Sequence, residues 1–440
     1  MTTLIHTNSP TQLTFDNFGH TLHHFQIESF DGKYLVYDTR NDDTKIGETS
    51  SIFLFNTKTL ENQLIYKTQN QTQFGPGVGA VSFSQIKNKV IFIHGIRNAN
   101  QTNPYSATRR TAVAIDLEYP NQPIFMDARN IQPPFTNGAL RGGTHSHSWK
   151  KETNWISFTY NDFILEQESK HNPTVKDQRV VGMMFPQKVE VNFDENLENN
   201  SGEMFSIIVS KVVPFPTNGS DEIEKAFDEC WINSSHDIAF QGYVRDKNGD
   251  LKTEIFVATI PDKIIIDETD NLLGTTTTLP DVPKCISQKR ITFTKKGISN
   301  FRHWLRSSQD GKVIYFLMED EHQTTQLFGV NLISNEIIQY SFLEQSIDSP
   351  FNLSVDGKLA VFFSDQKIII LDLTEKKSSV LYQNNTFNHQ LTGIPHFSNN
   401  RKKIYFNQFA PNKFNKKYIQ IFEIELKPCS SYKCNWPSRF

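Results

Sequence analysis

One short phrase recurs along this chain and constrains its fold more than any other feature. Ser29-Phe30-Asp31-Gly32-Lys33 precedes Tyr-Leu-Val-Tyr, Ser308-Gln309-Asp310-Gly311-Lys312 precedes Val-Ile-Tyr-Phe, and Ser354-Val355-Asp356-Gly357-Lys358 precedes Leu-Ala-Val-Phe. A weaker copy, Ser398-Asn399-Asn400-Arg401, precedes Lys-Lys-Ile-Tyr-Phe. Asp-Gly beside an apolar run marks a tight hairpin, because such turns need positive φ. A second strand ending in Asn or Asp follows, as at Phe55-Asn56-Thr57 and Leu371-Asp372-Leu373. A unit of four short strands repeating every roughly 40–50 residues is a propeller blade.

The fold class expected is therefore all-β, a seven-bladed β-propeller. Its blades begin near His23, Gly79, His145, Asp237, His303, Phe351 and His396. The irregular middle third leaves the count open by one. Thr11-Gln12-Leu13-Thr14-Phe15 resembles Arg290-Ile291-Thr292-Phe293-Thr294, which sits at an outer-strand position. It is expected to supply the outer strand of the last blade and close the ring, which removes two free sheet edges. Residues 1–426 form one domain in this reading and 427–440 a tail, with insertions near 162–200 and 214–231. One short helix is expected at Asp221–Glu229, opened by Asn218-Gly219-Ser220, with Asp221 and Glu222 complementing its dipole.

Composition narrows the partners. The 440 residues carry a net charge of −3, which leaves no electrostatic footprint for nucleic acid. No apolar run approaches the ~20 residues of a membrane helix, and Met1–Pro10 lacks the apolar core of a secretory signal. A cytoplasmic monomer that meets neither nucleic acid nor membrane is the expectation. The four cysteines, Cys230, Cys285, Cys429 and Cys434, are too few and scattered for a disulfide framework and read as free thiols. Phe is frequent, at 35 residues, and suits a pleated, half-buried surface.

Candidate chemistry gathers around Leu140–Trp149, which holds Arg141, His145 and His147 ahead of a strand at Trp155–Tyr160. In an extended chain residues i and i+2 point to one side, so both imidazoles are expected on one face. In a blade, the start of the first strand and the end of the second share one face of the disc. His24, His145 and His303 each stand eight positions before the turn of their blade. His94, Asp38 with Arg40, Tyr160 to Asp162, and Glu319 with Asp320 end second strands. All are expected around one mouth of the central channel. Clustered imidazoles suit one divalent ion such as Mn or Zn, with Ca the further candidate, and also suit general base chemistry. Single propeller histidines equally serve as interior residues bonded to backbone carbonyls. Arg141 and Arg302 offer planar forks for a carboxylate, or a salt bridge between blades. Trp149, Trp155, Trp231 and Trp304 read as core. No Gly-x-Ser-x-Gly elbow, phosphate loop or His-Glu-x-x-His helix is present.

The Ser-x-Asp-Gly-Lys repeat resembles that of TolB-type propellers. A more specific set occurs in order: Ile93-His94-Gly95, Leu140 to His147, Ser157 to Asp162, Val209-Ser210-Lys211, Gly219 to Ile223, and Arg302-His303-Trp304. Together they resemble the YidR-type bacterial propeller family, a largely uncharacterised group associated by name with biofilm. The resemblance spans about Gly32 to Gly357. A more distant likeness is to oligogalacturonate lyase, a propeller with histidines around manganese. No motif carries across from it.

Two functions follow as expectations. In the first, the protein is a metal-assisted lyase or hydrolase of an acidic carbohydrate. Arg141 neutralises the sugar carboxylate, and His145 or Tyr160 moves the proton. His94, His145, His147 and His303 hold the metal, while His24, Arg302, Asp162 and Asn161 bind the ligand. In the second, it is a non-catalytic propeller for a glycan or an unknown protein partner in surface or biofilm regulation. The segment 214–231 is then its contact element.

Overall fold

A computed structural model describes residues 4–5, 9–192, 196–386 and 389–428. Seven antiparallel sheets, each one blade, follow one another along the chain. Blade 1 pairs Tyr34–Asp38, Ser51–Asn56 and Asn62–Lys67, with its innermost stretch joined only through bridges at Thr21 and Glu28. Blades 2 to 6 have four strands each. Blade 7 takes its outer strand from the other end of the chain, where Thr11–Gln12 pairs with Lys417–Glu425. The ring is thus closed by the N-terminal strand as the sequence implied. A short ladder between Leu4–Ile5 and Lys427–Pro428 lies beyond it.

The molecule has no single core. Each junction between neighbouring blades holds its own apolar cluster, and seven clusters serve the seven junctions. The alternation of strand side chains explains how. In Lys89–Gly95, Val90 and Phe92 face blade 1, while Ile91 faces blade 3. In Val313–Glu319, Ile314 and Phe316 face blade 4, while Tyr315 and Leu317 face blade 6. Both faces of every sheet are buried, so the strands read as continuous apolar runs with many Phe. Blades 7 and 1 meet through Tyr405 and Ile421 against Leu35, Tyr37 and Phe55.

The recurring phrase is a hydrogen-bonded turn. The Ser29 hydroxyl donates to Asp31 Oδ1 at 2.6 Å and accepts from the Tyr34 amide at 2.9 Å. Gly32 takes φ 69°. The same bonds recur at Ser308 and Ser354, with Gly311 at φ 70° and Gly357 at φ 68°. In the weaker copy Arg401 itself occupies the left-handed position, at φ 58°.

The middle third departs from expectation in two places. The segment 221–229 is no helix: Ile223–Trp231 is the innermost strand of blade 4, so that blade begins one strand before Asp237. Register shifts between Ile223 and Lys225 and between Phe227 and Cys230 are bulges. Each bulge inserts one residue and breaks the period of two. Ile223 and Ala226 are both buried, a spacing of three that imitates a helical face. The helix is instead Phe163–Ser169, capped by Asp162, whose carboxylate accepts from the Leu165 amide. The expected insertion at 162–200 also contains Arg179–Val189, the third strand of blade 3. Cys230 and Cys285 are free thiols. Cys429 and Cys434 lie outside the described residues. No helix among the described residues is long and apolar enough to cross a membrane.

Candidate functional site

One mouth of the central channel opens into a cavity of about 730 Å³ to which all seven blades contribute. Its walls are shaped by irregularity in the innermost strands. Ala80 at φ 57°, Ser146 at φ 52°, Asp228 at φ 50° and Gly393 at φ 70° line it from blades 2, 3, 4 and 7. Each sits where the ladder of its first strand shifts register. Left-handed backbone is costly for all but glycine, and bulges re-aim the side chains beside them. The same device in four blades turns polar groups into the channel.

The cavity is rich in guanidinium groups. Arg40 is neutralised on the spot: it is bonded to Asp38 Oδ1 at 2.7 Å and to Asp43 Oδ1 at 2.6 Å. Burial alone would weaken its charge, but those carboxylates hold its pKa above the ordinary value. Arg110 and Arg179 differ. They open the third strands of blades 2 and 3, at equivalent positions of adjacent sheets. Neither has a carboxylate at ion-pair distance among the described residues. Arg110 donates to Ser106 O at 3.0 Å and meets His145 Nδ1 at 2.7 Å, with its guanidinium over the Tyr105 ring. Arg179 donates to Asn161 Oδ1 at 2.9 Å. The pKa of each is lowered, first by burial and then by neighbouring arginines, Arg302 among them. Arg302 is exposed at the rim and reaches Asp43 and Asp228 only at 3.9 and 4.0 Å. Asp228 is buried, and burial pushes its carboxyl up to about 6 against the pull of Arg302, Arg179 and Lys225. Arg302 and Arg179 thus act on one buried carboxylate, and Arg110 lines the same cavity.

Of the residues singled out in the sequence, His24, Arg40, His145 and Arg302 line this cavity, and so does Trp304, which was expected in the core. The His145 ring is bonded at both nitrogens. Arg110 occupies Nδ1, so the proton sits on Nε2 and points to Asn161 Oδ1 at 3.2 Å. Burial, then Arg110 and Arg179, keep its pKa well below the usual value and the ring neutral. Asn161 accepts from both His145 and Arg179 and so ties them together. His24 lies flat on Trp304, ring centroids 4.0 Å apart, and Arg302 caps the other end of the stack 4.5 Å from Trp304. Among the described residues, neither His24 nitrogen nor the Trp304 Nε1 has a hydrogen-bond partner. His23 stands edge-on to His24 at 4.2 Å.

The others are engaged elsewhere. His147 does not share a face with His145, because the left-handed Ser146 and the bulge after His145 break the alternation. His147 is buried and meets Thr144 Oγ1 at 2.9 Å. His94 is bonded to Tyr66 Oη at 2.9 Å and Gly95 O at 2.5 Å. His303 donates to Phe301 O at 2.7 Å and accepts from the Leu317 amide at 3.1 Å. Arg141, Tyr160 and Asp162 form a buried tie. Asp162 Oδ2 accepts from Arg141 at 2.7 Å and from the Tyr160 hydroxyl at 2.8 Å, and Arg141 clamps the carbonyls of Thr275 and Thr278. Burial, with Asp162 beside it, holds the Tyr160 phenol well above its ordinary pKa. The shared slot eight residues before each turn did not give a shared orientation, since one step along a strand reverses the side chain.

His94, His145, His147 and His303 therefore do not make a metal-ligand set. The rings of His94, His145 and His303 are bonded at both nitrogens, and among the described residues no group of three or more His, Cys, Asp or Glu could hold an ion.

Arg110, Arg179 and Asp228 were missed by sequence reading. Asp228 lay inside the expected helix and Arg179 inside the expected insertion. Arg110 and Arg179 carried one usable signal: each is the first residue of a third strand, which aligning the blades strand by strand exposes.

Fold and site together define a closed seven-bladed propeller with an arginine-rich channel mouth. The chain belongs to the YidR family: it is 32% identical over 370 residues to the uncharacterized protein YidR of Escherichia coli (strain K12), covering 81% of this chain and 85% of that one. Residues 77–199 match a family described as a protein of unknown function, DUF3748. Among solved structures, oligogalacturonate lyase in complex with manganese aligns over 97% of this chain and 96% of its own, with a TM-score of 0.55 and 10% identity. A protein described as TolB from Agrobacterium tumefaciens aligns over 86% of this chain and 99% of its own, with a TM-score of 0.41 and 11% identity. The likeness to oligogalacturonate lyase shows the fold alone.

Proposed function

We propose that the channel mouth binds an acidic carbohydrate and that the protein acts on it as a lyase. The observation that carries this reading is the convergence of Arg110, Arg179 and Arg302 on one cavity in which Asp228 is the buried carboxylate among the lining residues. Like charges held together repel unless an anion joins them. Guanidinium forks match a carboxylate, as on a uronic acid.

The chemistry available is β-elimination. The arginines neutralise the sugar carboxylate and so make the C–H beside it more acidic. Asp228, ionised above its pKa of about 6, takes that proton. The C–H electron pair forms the new C=C bond, the C–O bond to the leaving sugar breaks, and its oxygen leaves with the proton returned from Asp228. The base role passes to Asp228 because His145 Nδ1 is occupied by Arg110 and Tyr160 is tied to Asp162. No step is assigned to a metal, since the donor groups do not fit one.

The test is incubation with oligomers of galacturonate, guluronate, mannuronate and glucuronate, followed by near-ultraviolet absorbance of the unsaturated product and by calorimetry. Product formation that disappears in Asp228→Asn supports the lyase. Binding without product, unaffected by Asp228→Asn, would move the protein to the non-catalytic reading. Failure of the whole panel to bind would sink the site.

A further inference from the structure

We infer that the ligand is a chain and not a single sugar, because the mouth continues into a second subsite between blades 3 and 4. This rests on the acidic-carbohydrate reading of the mouth. A groove of about 840 Å³ runs outward there, and Arg179 lines both it and the mouth cavity. Each volume alone lies within the roughly 300–1,000 Å³ that encloses a small ligand, so the joined space exceeds what one sugar needs.

The groove repeats the charge logic of the mouth. Of its two carboxylates one is spent, Glu224, which holds Arg245 with two contacts of 3.0 Å, while Asp177 accepts only from the Asn161 amide at 3.1 Å and keeps its charge. Neither of its lysines is spent. Among the described residues Lys176 and Lys225 make no ion pair; each lies over aromatic rings, Lys176 5.2 Å from Phe215 and Lys225 5.1 Å from Tyr243. Phe215 is 63% exposed between Pro214 and Pro216, which stiffen the lip that carries it. A cation beside an open aromatic face is what an acidic pyranose requires, one for its carboxylate and the other for its C–H face. Lys225, Arg179 and the mouth arginines then form a cationic track that follows the carboxylates of consecutive residues.

The experiment is calorimetry with galacturonate, its dimer and its trimer, and the matching guluronate, mannuronate and glucuronate series. In the best series the trimer is expected to bind about tenfold more tightly than the monomer, the yield of one added charged contact. In the double variant Lys176→Ala/Phe215→Ala the trimer-to-monomer ratio falls toward one, with the melting temperature unchanged because both side chains are at the surface. Monomer binding with no gain on lengthening would overturn the groove and leave the mouth standing. Absence of binding by every member would overturn both. Equal length dependence with oligoglutamate of matched charge would overturn the carbohydrate assignment.

Discussion

Blade 5 leaves its first strand through Ser308-Gln309-Asp310-Gly311, a turn whose serine-to-aspartate and amide-to-serine bonds are repeated in blades 1 and 6. Blade 4 turns at the corresponding place through Asn233-Ser234-Ser235-His236, and the strand before it runs nine residues with two bulges. The regular blade gives the mouth only groups that lie ahead of its two-residue inner strand, Arg302 and Trp304. The irregular one turns Asp228 inward from the strand itself. Blades 2 and 3 resemble blade 4, with bulges at Ala80 and Ser146 and arginines opening their third strands. Regular turns hold the ring together, and departures from them make the site. Strain is tolerated where the surrounding sheet over-determines it, and it accumulates where it aims a group.

The comparison can be broken most directly at Arg179. Arg179→Ala should weaken binding of the best uronate by about a hundredfold, as loss of a hydrogen bond to a charged group implies. Calorimetry checks this, and a change below about threefold would remove the irregular sector from the site. In the regular sector the effect should fall on stability alone. Gly311→Ala places a Cβ 2.0 Å from Ser234 Oγ at φ 70°, and should cost about 2 kcal/mol or more in denaturant unfolding. Uronate affinity of the folded fraction should not move.

Titration sharpens the contrast. Glu229, next to Asp228 in the bulge, is buried and makes no ion pair among the described residues, and burial pushes its pKa up to about 8. The folded state therefore holds this proton more tightly than the unfolded chain. Stability should fall as pH rises from the ordinary carboxyl value through about 8, with a slope approaching about 1.36 kcal/mol per pH unit. Glu229→Gln should flatten the melting temperature between pH 7 and 8; an unchanged slope would show that Glu229 is ionised when folded. The buried histidines act in the other direction. Burial lowers His147 and His396 to about 3 and His94 and His303 to about 4. Unfolded histidine binds protons more readily below 6.5, so stability is lost as pH falls from there toward 4. The smallest effect is expected at Ser146→Gly, which relieves a left-handed serine and should add about 1 kcal/mol of stability. A loss instead would show that the serine side chain braces the mouth.

The fold was legible because its cause is local and repeated. Ser-x-Asp-Gly-Lys fixes each turn by bonds within a few residues, and a strand buried on both faces must be an apolar run. Thr11–Phe15 could be matched to a closing strand by likeness to residues far along the chain. His24, His145 and Arg302 were also found, since the blade plan places the start of an inner strand at the mouth. What failed was each inference that needed strict alternation. His145 and His147 were expected on one face, and a single left-handed residue separates them. Residues 221–229 read as a helix because Asn218-Gly219-Ser220 and the acidic pair Asp221-Glu222 resemble a helix start, whereas Ile223–Trp231 is a bulged strand.

By itself, then, the order of residues determined the propeller class, its closure and the ring on which polar groups could gather, with the blade count open by one. Only the packed molecule decided which of those groups meet. A bulge shifts every later side chain by one place and calls for no particular residue type, so the pattern of residue types scarcely marks it. Whether the strand adopts one is settled by the neighbouring blade, through contacts between residues such as Arg110 and His145 that stand far apart along the backbone.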